Sequence, residues 1–262
     1  AVHLTFPIRG QKLSMSVQVQ AHLAQRVTPF QTVDVYKTDA FGKVLFLDGH
    51  VQLSELDEFA YHECLVHIPL LSVENPKRAL VVGGGDGGVL RELVRHDSLE
   101  EIHMVEIDAG VIEVCKEHLP GVSDGAFDDP RVKLYVQDAF PFVREAAGEY
   151  DLIVMDSTDV YEEEAGGLSE QLWTEAFYRD LHRLLSNKGF LVTQADNLLF
   201  CPYSLQGILK TFGNVFPKTG AYYALVPSFG GFSGYAWASK SGELASEFGG
   251  PELGLQYLNT LT

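Results

Sequence analysis

Between residues 13 and about 55, apolar and polar positions alternate in short bursts, LSMSVQVQ, TVDVYKT, KVLFLDG and HVQLS, with Gly or Asp at the breaks. Alternation with period two puts successive side chains on opposite faces of a strand, so this stretch predicts a small antiparallel sheet. Asp48-Gly49, between KVLFL and HVQL, is a hairpin signal because glycine accepts the positive φ of a tight turn. From Asp57 the texture changes. DEFAYHECLVHIPLL has the apolar spacing of a helix, and Pro76 closes the segment after it. ALVVGG is a short β-branched run entering a glycine turn. VLRELVRH predicts a helix, EIHMVEID a strand, AGVIEVCKEHL a helix, and VKLYVQD and YDLIVMD two further strands. LWTEAFYRDLHRLL is amphipathic and runs into Asn187-Lys188-Gly189, a helix-stop signal. GFLVTQAD predicts another strand and GAYYALVPSFGGFSGYAWASK a closing hairpin. Strands alternating with helices at this spacing imply an α/β chain with a doubly wound, mainly parallel sheet. The expected organisation is a small N-terminal antiparallel β-domain over residues 1–56 and an α/β domain over 57–262.

The chain has 262 residues, 46% hydrophobic and 21% charged, which excludes a disulfide miniprotein and a disordered segment. Nineteen Lys+Arg against 36 Asp+Glu leave a formal net charge of −17. A surface that negative repels phosphate backbones and argues against a nucleic-acid partner. It either concentrates small cations or only keeps the chain dissolved. Cys64, Cys115 and Cys201 are far apart and form no CxxC, which argues against a disulfide framework or zinc site and for a reducing compartment. No apolar run reaches the roughly 20 residues of a membrane helix, and AVHLTFPIRG has no signal core. The expectation is a cytoplasmic protein without a membrane partner. Because the chain starts at Ala1 without a methionine, a few residues are expected upstream.

Gly83-Gly84-Gly85-Asp86-Gly87-Gly88 follows ALVV and opens VLRELV, satisfying GxGxxG, while Glu106 closes the next strand. Glycines let the backbone approach a ligand, and an acid at that distance can accept both hydroxyls of a ribose, so the loop predicts a nucleoside site. A dinucleotide would set its pyrophosphate on the helix N-terminus, where the Asp86 carboxylate opposes it. Asp86 instead favours an amine or sulfonium, as in S-adenosyl compounds, and best one lacking the methionine carboxylate. Asp138-Ala139 ends the VKLYVQ strand, where an acid faces the ligand crevice and can accept an adenine amino proton. The alternative for Asp138 is a cap on the following PFVREA helix.

YDLIVMD runs into Ser157-Thr158-Asp159, placing Asp156 and Asp159 at the crevice. Paired carboxylates can hold an alkylammonium and remove its proton, and proximity raises the pKa of one of them toward neutrality. A protonated amine has no lone pair, so nucleophilic attack requires that step. The alternative is loop capping by Asp, Ser and Thr.

With FGKVLFLDGHVQLSELDEFAYHE, NPKRALVVGGGDGGVLRELVRH, MVEID, FDDPRV and DSTD on the page, the chain resembles spermidine synthase and its polyamine aminopropyltransferase relatives over essentially its whole length. The combination of GGGDGG, DEFAYHE and DSTD makes the resemblance specific. It implies a Rossmann-like doubly wound domain behind the N-terminal β-domain. It also implies transfer of an aminopropyl group from decarboxylated S-adenosylmethionine, a co-substrate rather than a tightly bound cofactor, to a small cationic amine, with release of methylthioadenosine and no metal. By the same likeness Asp156 deprotonates the amine and Asp159 helps bind it. Gln31, Glu106, Asp138 and Ala139 hold the nucleoside, and Asp86 grips the donor's aminopropyl nitrogen. Tyr61 and His62 line the amine channel, although on the residues alone they read as ordinary helix-face positions. Gln194 and Asp196 stand where relatives carry an acid that helps bind the amine. A homodimer or homotetramer through the N-terminal β-domain is implied as well.

The chain departs from the relatives in three places. Where they carry proline and a short loop after the aspartate pair, it has the longer, proline-free stretch Val160 to Glu170. Glu162, Glu163 and Glu164 in it read either a second cationic group or nothing but solvent. Ser228-Phe229-Gly230-Gly231 replaces a tyrosine-bearing segment and loses a hydroxyl that would contact the amine. The chain also stops at QYLNTLT, where the family continues for another segment. These differences leave the acceptor open: putrescine by default, otherwise cadaverine, agmatine, spermidine or norspermidine. Two further readings stand beside transfer of aminopropyl groups. One is a methyltransferase using intact S-adenosylmethionine, which Asp86 and the aspartate pair oppose. The other is a binding module that has lost its chemistry, which Asp156 opposes.

Overall fold

The computed structural model of the chain describes residues 1–8, 13–157, 174–247 and 253–259. Strands β1 (Val2–Pro7), β2 (Ser14–Val27), β3 (Thr32–Thr38), β4 (Gly42–Leu47) and β5 (His50–Ser54) form an antiparallel meander in sequential order. The turn between β4 and β5 is Asp48-Gly49, both at positive φ. Strand β2 is longer than the LSMSVQVQ burst that announces it. It continues through AHLAQRV, and two register shifts against β3 near Val19 and His22 take up the twist of so long a strand.

The remaining elements are α1 (Glu58–Leu70), β6 (Arg78–Gly83), α2 (Gly88–Leu93), β7 (Glu101–Glu106), α3 (Ala109–His118), α4 (Pro120–Ser123), β8 (Val132–Val136), α5 (Ala139–Glu145), β9 (Tyr150–Asp156), α6 (Glu175–Leu184), β10 (Leu185–Asn197), α7 (Pro202–Val215), β11 (Lys218–Val226) and β12 (Gly231–Ser239). The second sheet has the order β11-β12-β10-β9-β6-β7-β8. Strands β10, β9, β6, β7 and β8 run parallel, and β12 and β11 close the edge as an antiparallel hairpin. The fold is α/β and Rossmann-like. Helices cover both faces. Leu65, Val66 and Leu70 of α1 and Val89, Leu90 and Leu93 of α2 bury one face, while Val143, Phe177, Leu181 and Phe212 of α5, α6 and α7 bury the other. Val33, Val35, Leu45 and Leu53 of the meander pack on Val111, Val114 and Leu119, joining the two sheets through α3.

One local expectation is corrected. Helix α6 ends at Leu184, and Asn187-Lys188-Gly189 lies inside β10, where the register against β9 shifts between Leu185 and Phe190. The stop signal there serves an irregular strand rather than a helix C-cap. Helix α7 was not read from the sequence, although Pro202 at its first turn is a recognised start signal.

Order within the parallel sheet fixes the position of the site. From β6 the chain steps outward through β7 and β8, then returns to place β9 on the other side of β6. The reversal opens a crevice at the carboxyl ends of β6 and β9, the usual ligand position in open α/β sheets.

Candidate active site

Gly83 at the end of β6 and Asp156 at the end of β9 are register partners. The chain turns there at positive φ in Gly83 and Gly84, and the Gly84 amide donates to the Asp156 carbonyl at 3.0 Å. A Cβ on Gly83 would lie 2.4 Å from that oxygen, so only glycine lets the loop approach the aspartate strand so closely.

Helix α1 lies across this crevice and is buried on nearly every side. Its polar residues therefore require internal partners. Tyr61 donates its hydroxyl to Asp156 Oδ1 at 2.6 Å. Its ring is caged by Phe229 and Tyr235, at centroid distances of 5.6 and 5.9 Å. Phe229 is held there because Asp57, the residue before α1, accepts from the Ser228 amide and hydroxyl at 2.7 and 2.8 Å. His62 presents Nδ1 to Glu58 Oε2 at 2.5 Å and Nε2 to Asp86 Oδ1 at 3.3 Å. Glu58 is gripped by both terminal nitrogens of Arg91, at 2.6 and 3.0 Å. Asp86 Oδ1 also accepts from the Gly88 amide at 2.7 Å.

The charges in this space do not titrate in their ordinary ranges. Burial, reinforced by the Asp86 charge, pushes the Asp156 carboxyl up to about 7 against the opposing pull of His62 and the Tyr61 hydroxyl. Burial pushes Glu106 up to about 8, helped by the charges of Asp108, Asp86 and Asp156. Burial works against a charge on His62, but Asp86 and Glu58 outweigh it and raise its pKa to about 10. Asp86 is correspondingly held low: His62 overcomes the cost of burial. Asp156 Oδ2 is buried without a partner among the described residues. Donor atoms of His62, Asp86 and Asp156 lie within 4.8 Å of one another. Both ring nitrogens of His62 already face carboxylate oxygens, so only a His62 that gives up a ring proton could offer this trio a nitrogen ligand.

The nucleoside candidates begin at Glu106, which feels the charges of Asp86 and Asp156. Glu106 ends β7, and a Cβ on Gly85 would lie 3.2 Å from its carboxyl carbon. Gln31, in the turn between β2 and β3, donates Nε2 to Asp108 Oδ2 at 2.9 Å, and Thr28 donates to the same oxygen at 2.7 Å. The N-terminal meander thus reaches the rim beside Glu106. Asp138 caps α5 by accepting from Phe140 N at 3.0 Å, and Ala139 is the buried first residue of that helix. Near the end of β10, Gln194 Oε1 accepts from the Asp196 amide at 3.1 Å, and Asp196 Oδ2 accepts from Ser204 Oγ of α7 at 2.7 Å. The structure therefore brings Tyr61, His62, Asp86, Glu106 and Asp156 into one cluster. Asp159 and Glu162 to Glu164 lie outside the described residues. Glu58, Arg91 and Asp108 were missed as site residues. The four-residue spacing of Glu58 and His62 was their one legible signal.

Fold and site define a class: a Rossmann-like α/β enzyme whose switch-point crevice is walled by carboxylates, the opposite of a phosphate cradle. Comparison with known proteins narrows it. Residues 58–247 match the model of the spermine/spermidine synthase domain, and residues 7–55 that of the spermidine synthase tetramerisation domain. A polyamine aminopropyltransferase from Pectobacterium carotovorum is 43% identical over 215 residues, 82% of this chain and 73% of that protein. One from Bacillus subtilis is 40% identical over 217 residues, 83% of this chain and 76% of the relative. A crystal structure of spermidine synthase in complex with the transition-state analogue AdoDATO superposes with a TM-score of 0.89 at 29% identity, over 99% of this chain and 89% of the other. Spermidine synthase from Thermotoga maritima gives 0.88 at 29% identity, over 100% and 89%. The chain belongs to the spermine/spermidine synthase family and is an aminopropyltransferase. The match to a tetramerisation domain supports oligomerisation. Among the described residues no helix is long and apolar enough to cross a membrane.

Proposed function

We propose that this enzyme transfers the aminopropyl group of decarboxylated S-adenosylmethionine to putrescine, with Asp156 as general base. The observation that carries the reading is the Asp156 carboxylate: one oxygen held by Tyr61, the other buried and without a partner among the described residues, with a pKa brought up to about 7. An acceptor ammonium beside Oδ2 gives its proton to Asp156. The freed lone pair attacks the methylene carbon next to sulfur, the C–S bond breaks, and its electron pair neutralises the sulfonium as methylthioadenosine leaves. Alignment of the two reactants supplies much of the remaining acceleration.

In this reading Glu106, Gln31, Asp138 and Ala139 hold the nucleoside, and Asp86 faces the aminopropyl nitrogen. Tyr61, His62, Asp159, Gln194 and Asp196 shape the acceptor side. Residues 1–56 and 57–262 act as separate structural units of a dimer or tetramer in a reducing, cytoplasmic setting. Binding of AdoDATO by a spermidine synthase of the same fold supports the choice of donor.

The test is incubation with the decarboxylated donor, deuterated in its aminopropyl group, and a mixture of putrescine, cadaverine, agmatine, spermidine and norspermidine, with only products that carry the label read by mass spectrometry. Spermidine as the main product supports the reading, whereas another adduct replaces the acceptor. Calorimetric titration with both donors distinguishes a methyltransferase, since tight binding of only the carboxylated form would overturn aminopropyl transfer.

A further inference from the structure

Behind His62 lies a chain of charged groups that the proposed chemistry does not use. Glu58 and His62 are one helical turn apart on α1, both turned toward α2. Arg91 of α2 binds Glu58 through two nitrogens, binds Glu92 Oε2 through Nε at 3.0 Å, and donates to the Val122 carbonyl at 2.9 Å. Glu92 in turn accepts from His67 and Arg95, at 3.2 and 3.1 Å. Glu58 is thus fixed from behind by a guanidinium that is itself fixed on three sides. On the site-facing side there is no slack either, because a Cβ on Gly88 would fall 2.1 Å from the His62 ring.

We infer that Glu58, anchored by Arg91, is a positioning residue that clamps His62 as a doubly donating imidazolium, so that its cation balances Asp86 and leaves Asp156 as the uncompensated carboxylate facing the amine. A ring pinned between two carboxylate oxygens keeps a proton on each nitrogen, since loss of either leaves two lone pairs opposed across a short contact. The groups facing His62 are Glu58 and Tyr61 from α1, Asp86 from the glycine loop, Arg91 from α2 and Asp156 from β9, with Glu106 beyond from β7. Anions outnumber cations in that set, which favours the imidazolium. The pKa of about 10 for His62 agrees with the geometry. Without the cation, Asp86 and Asp156 become adjacent unbalanced anions, and one of them binds a proton more tightly. Glu58 then acts on the reaction through His62, not by touching substrate.

This inference rests on the proposed amine chemistry only for its kinetic consequence, and its direct test is independent of that chemistry. In the full-length enzyme, nitrogen-15 chemical shifts of the His62 ring should report both nitrogens protonated from pH 6 to 9. In Glu58→Gln, which keeps the shape and removes the charge, the ring should lose a proton inside that range. The acid limb of kcat/KM should move to higher pH by roughly half a unit to one unit, with the affinity for methylthioadenosine within about twofold of wild type. Arg91→Lys should shift the limb in the same direction but less, since it loses the two-pronged grip. A wild-type His62 titrating near its ordinary value, or a Glu58→Gln ring indistinguishable from wild type, overturns the clamp. If Glu58→Gln does not fold, the wild-type titration decides alone. Absence of aminopropyl transfer by the wild type would count against the proposed function and leave the ring titration standing as the test of the clamp.

Discussion

Replacing Asp156 by Asn should make the enzyme inactive and, at alkaline pH, harder to unfold. In the folded chain its carboxyl is raised from 3.8 to about 7 by burial and by Asp86. The folded state therefore holds that proton more tightly than the unfolded one. Wild-type stability falls as pH climbs from about 4 to about 7, and the full cost is carried above that window. At about 1.4 kcal/mol per pKa unit, the cost is on the order of a few kcal/mol. Asn removes the charge and can still accept from Tyr61 through its side-chain oxygen, but its amide group inherits the partnerless position of Oδ2, a penalty of about 1–2 kcal/mol. The balance is a gain of about 2–3 kcal/mol at pH 8, or roughly 4–10 °C in Tm for a chain of this size. The gain should shrink toward zero by pH 5. Turnover should fall by roughly 10²- to 10⁴-fold, the usual contribution of a general base. Thermal melts of both proteins at pH 5 and pH 8, beside a turnover assay, decide the matter. A variant that melts below wild type at pH 8, or a difference independent of pH, refutes the electrostatic reasoning, and retained turnover refutes the choice of base.

Tyr61→Phe removes the 2.6 Å bond to Asp156 Oδ1, so the carboxyl should rise further and the acid limb of the rate profile should move up in pH. A profile unchanged in position would show that Tyr61 does not tune the base. Gly88→Ala drives a methyl group to 2.1 Å from the His62 ring and should cost at least about 1–3 kcal/mol in chemical denaturation, whereas Gly121→Ala, with nothing within 4 Å, should melt like wild type. Nucleoside binding should release protons at pH 7, because Glu106 sits near 8 in the empty crevice and would accept ribose hydroxyls as the carboxylate. Calorimetry of methylthioadenosine in buffers of different ionisation enthalpy reads that release, and buffer-independent heats would remove Glu106 from the ribose.

Much of the frame was legible along the chain. Alternation from residue 13 announced the meander, and ALVV and DLIVM announced two buried parallel strands, since such strands read as nearly unbroken apolar runs. The limits of β2 and the placement of Asn187-Lys188-Gly189 within β10 were not legible, because bulges and register shifts answer to the neighbouring strand. Within the site, Asp86, Glu106 and Asp156 were visible as acids closing a glycine turn or a strand. Gln31 reaches a carboxylate 77 residues away, and Arg91 grips Glu58 across 33, pairings that no local pattern encodes.

What the sequence determined alone was therefore the order of elements, the glycine turn and the kind of charge available to the crevice. These depend on side-chain period and residue chemistry, which act over a few neighbours. Tertiary structure decided which acids keep their charge. Asp86 has an imidazolium against it and stays ionised, while Asp156 and Glu106 are buried beside other anions and are pushed toward neutrality. The same side chain becomes anchor or base according to the burial and the charges that folding brings within a few ångströms, and that arrangement exists only when β6, β9 and α1 meet.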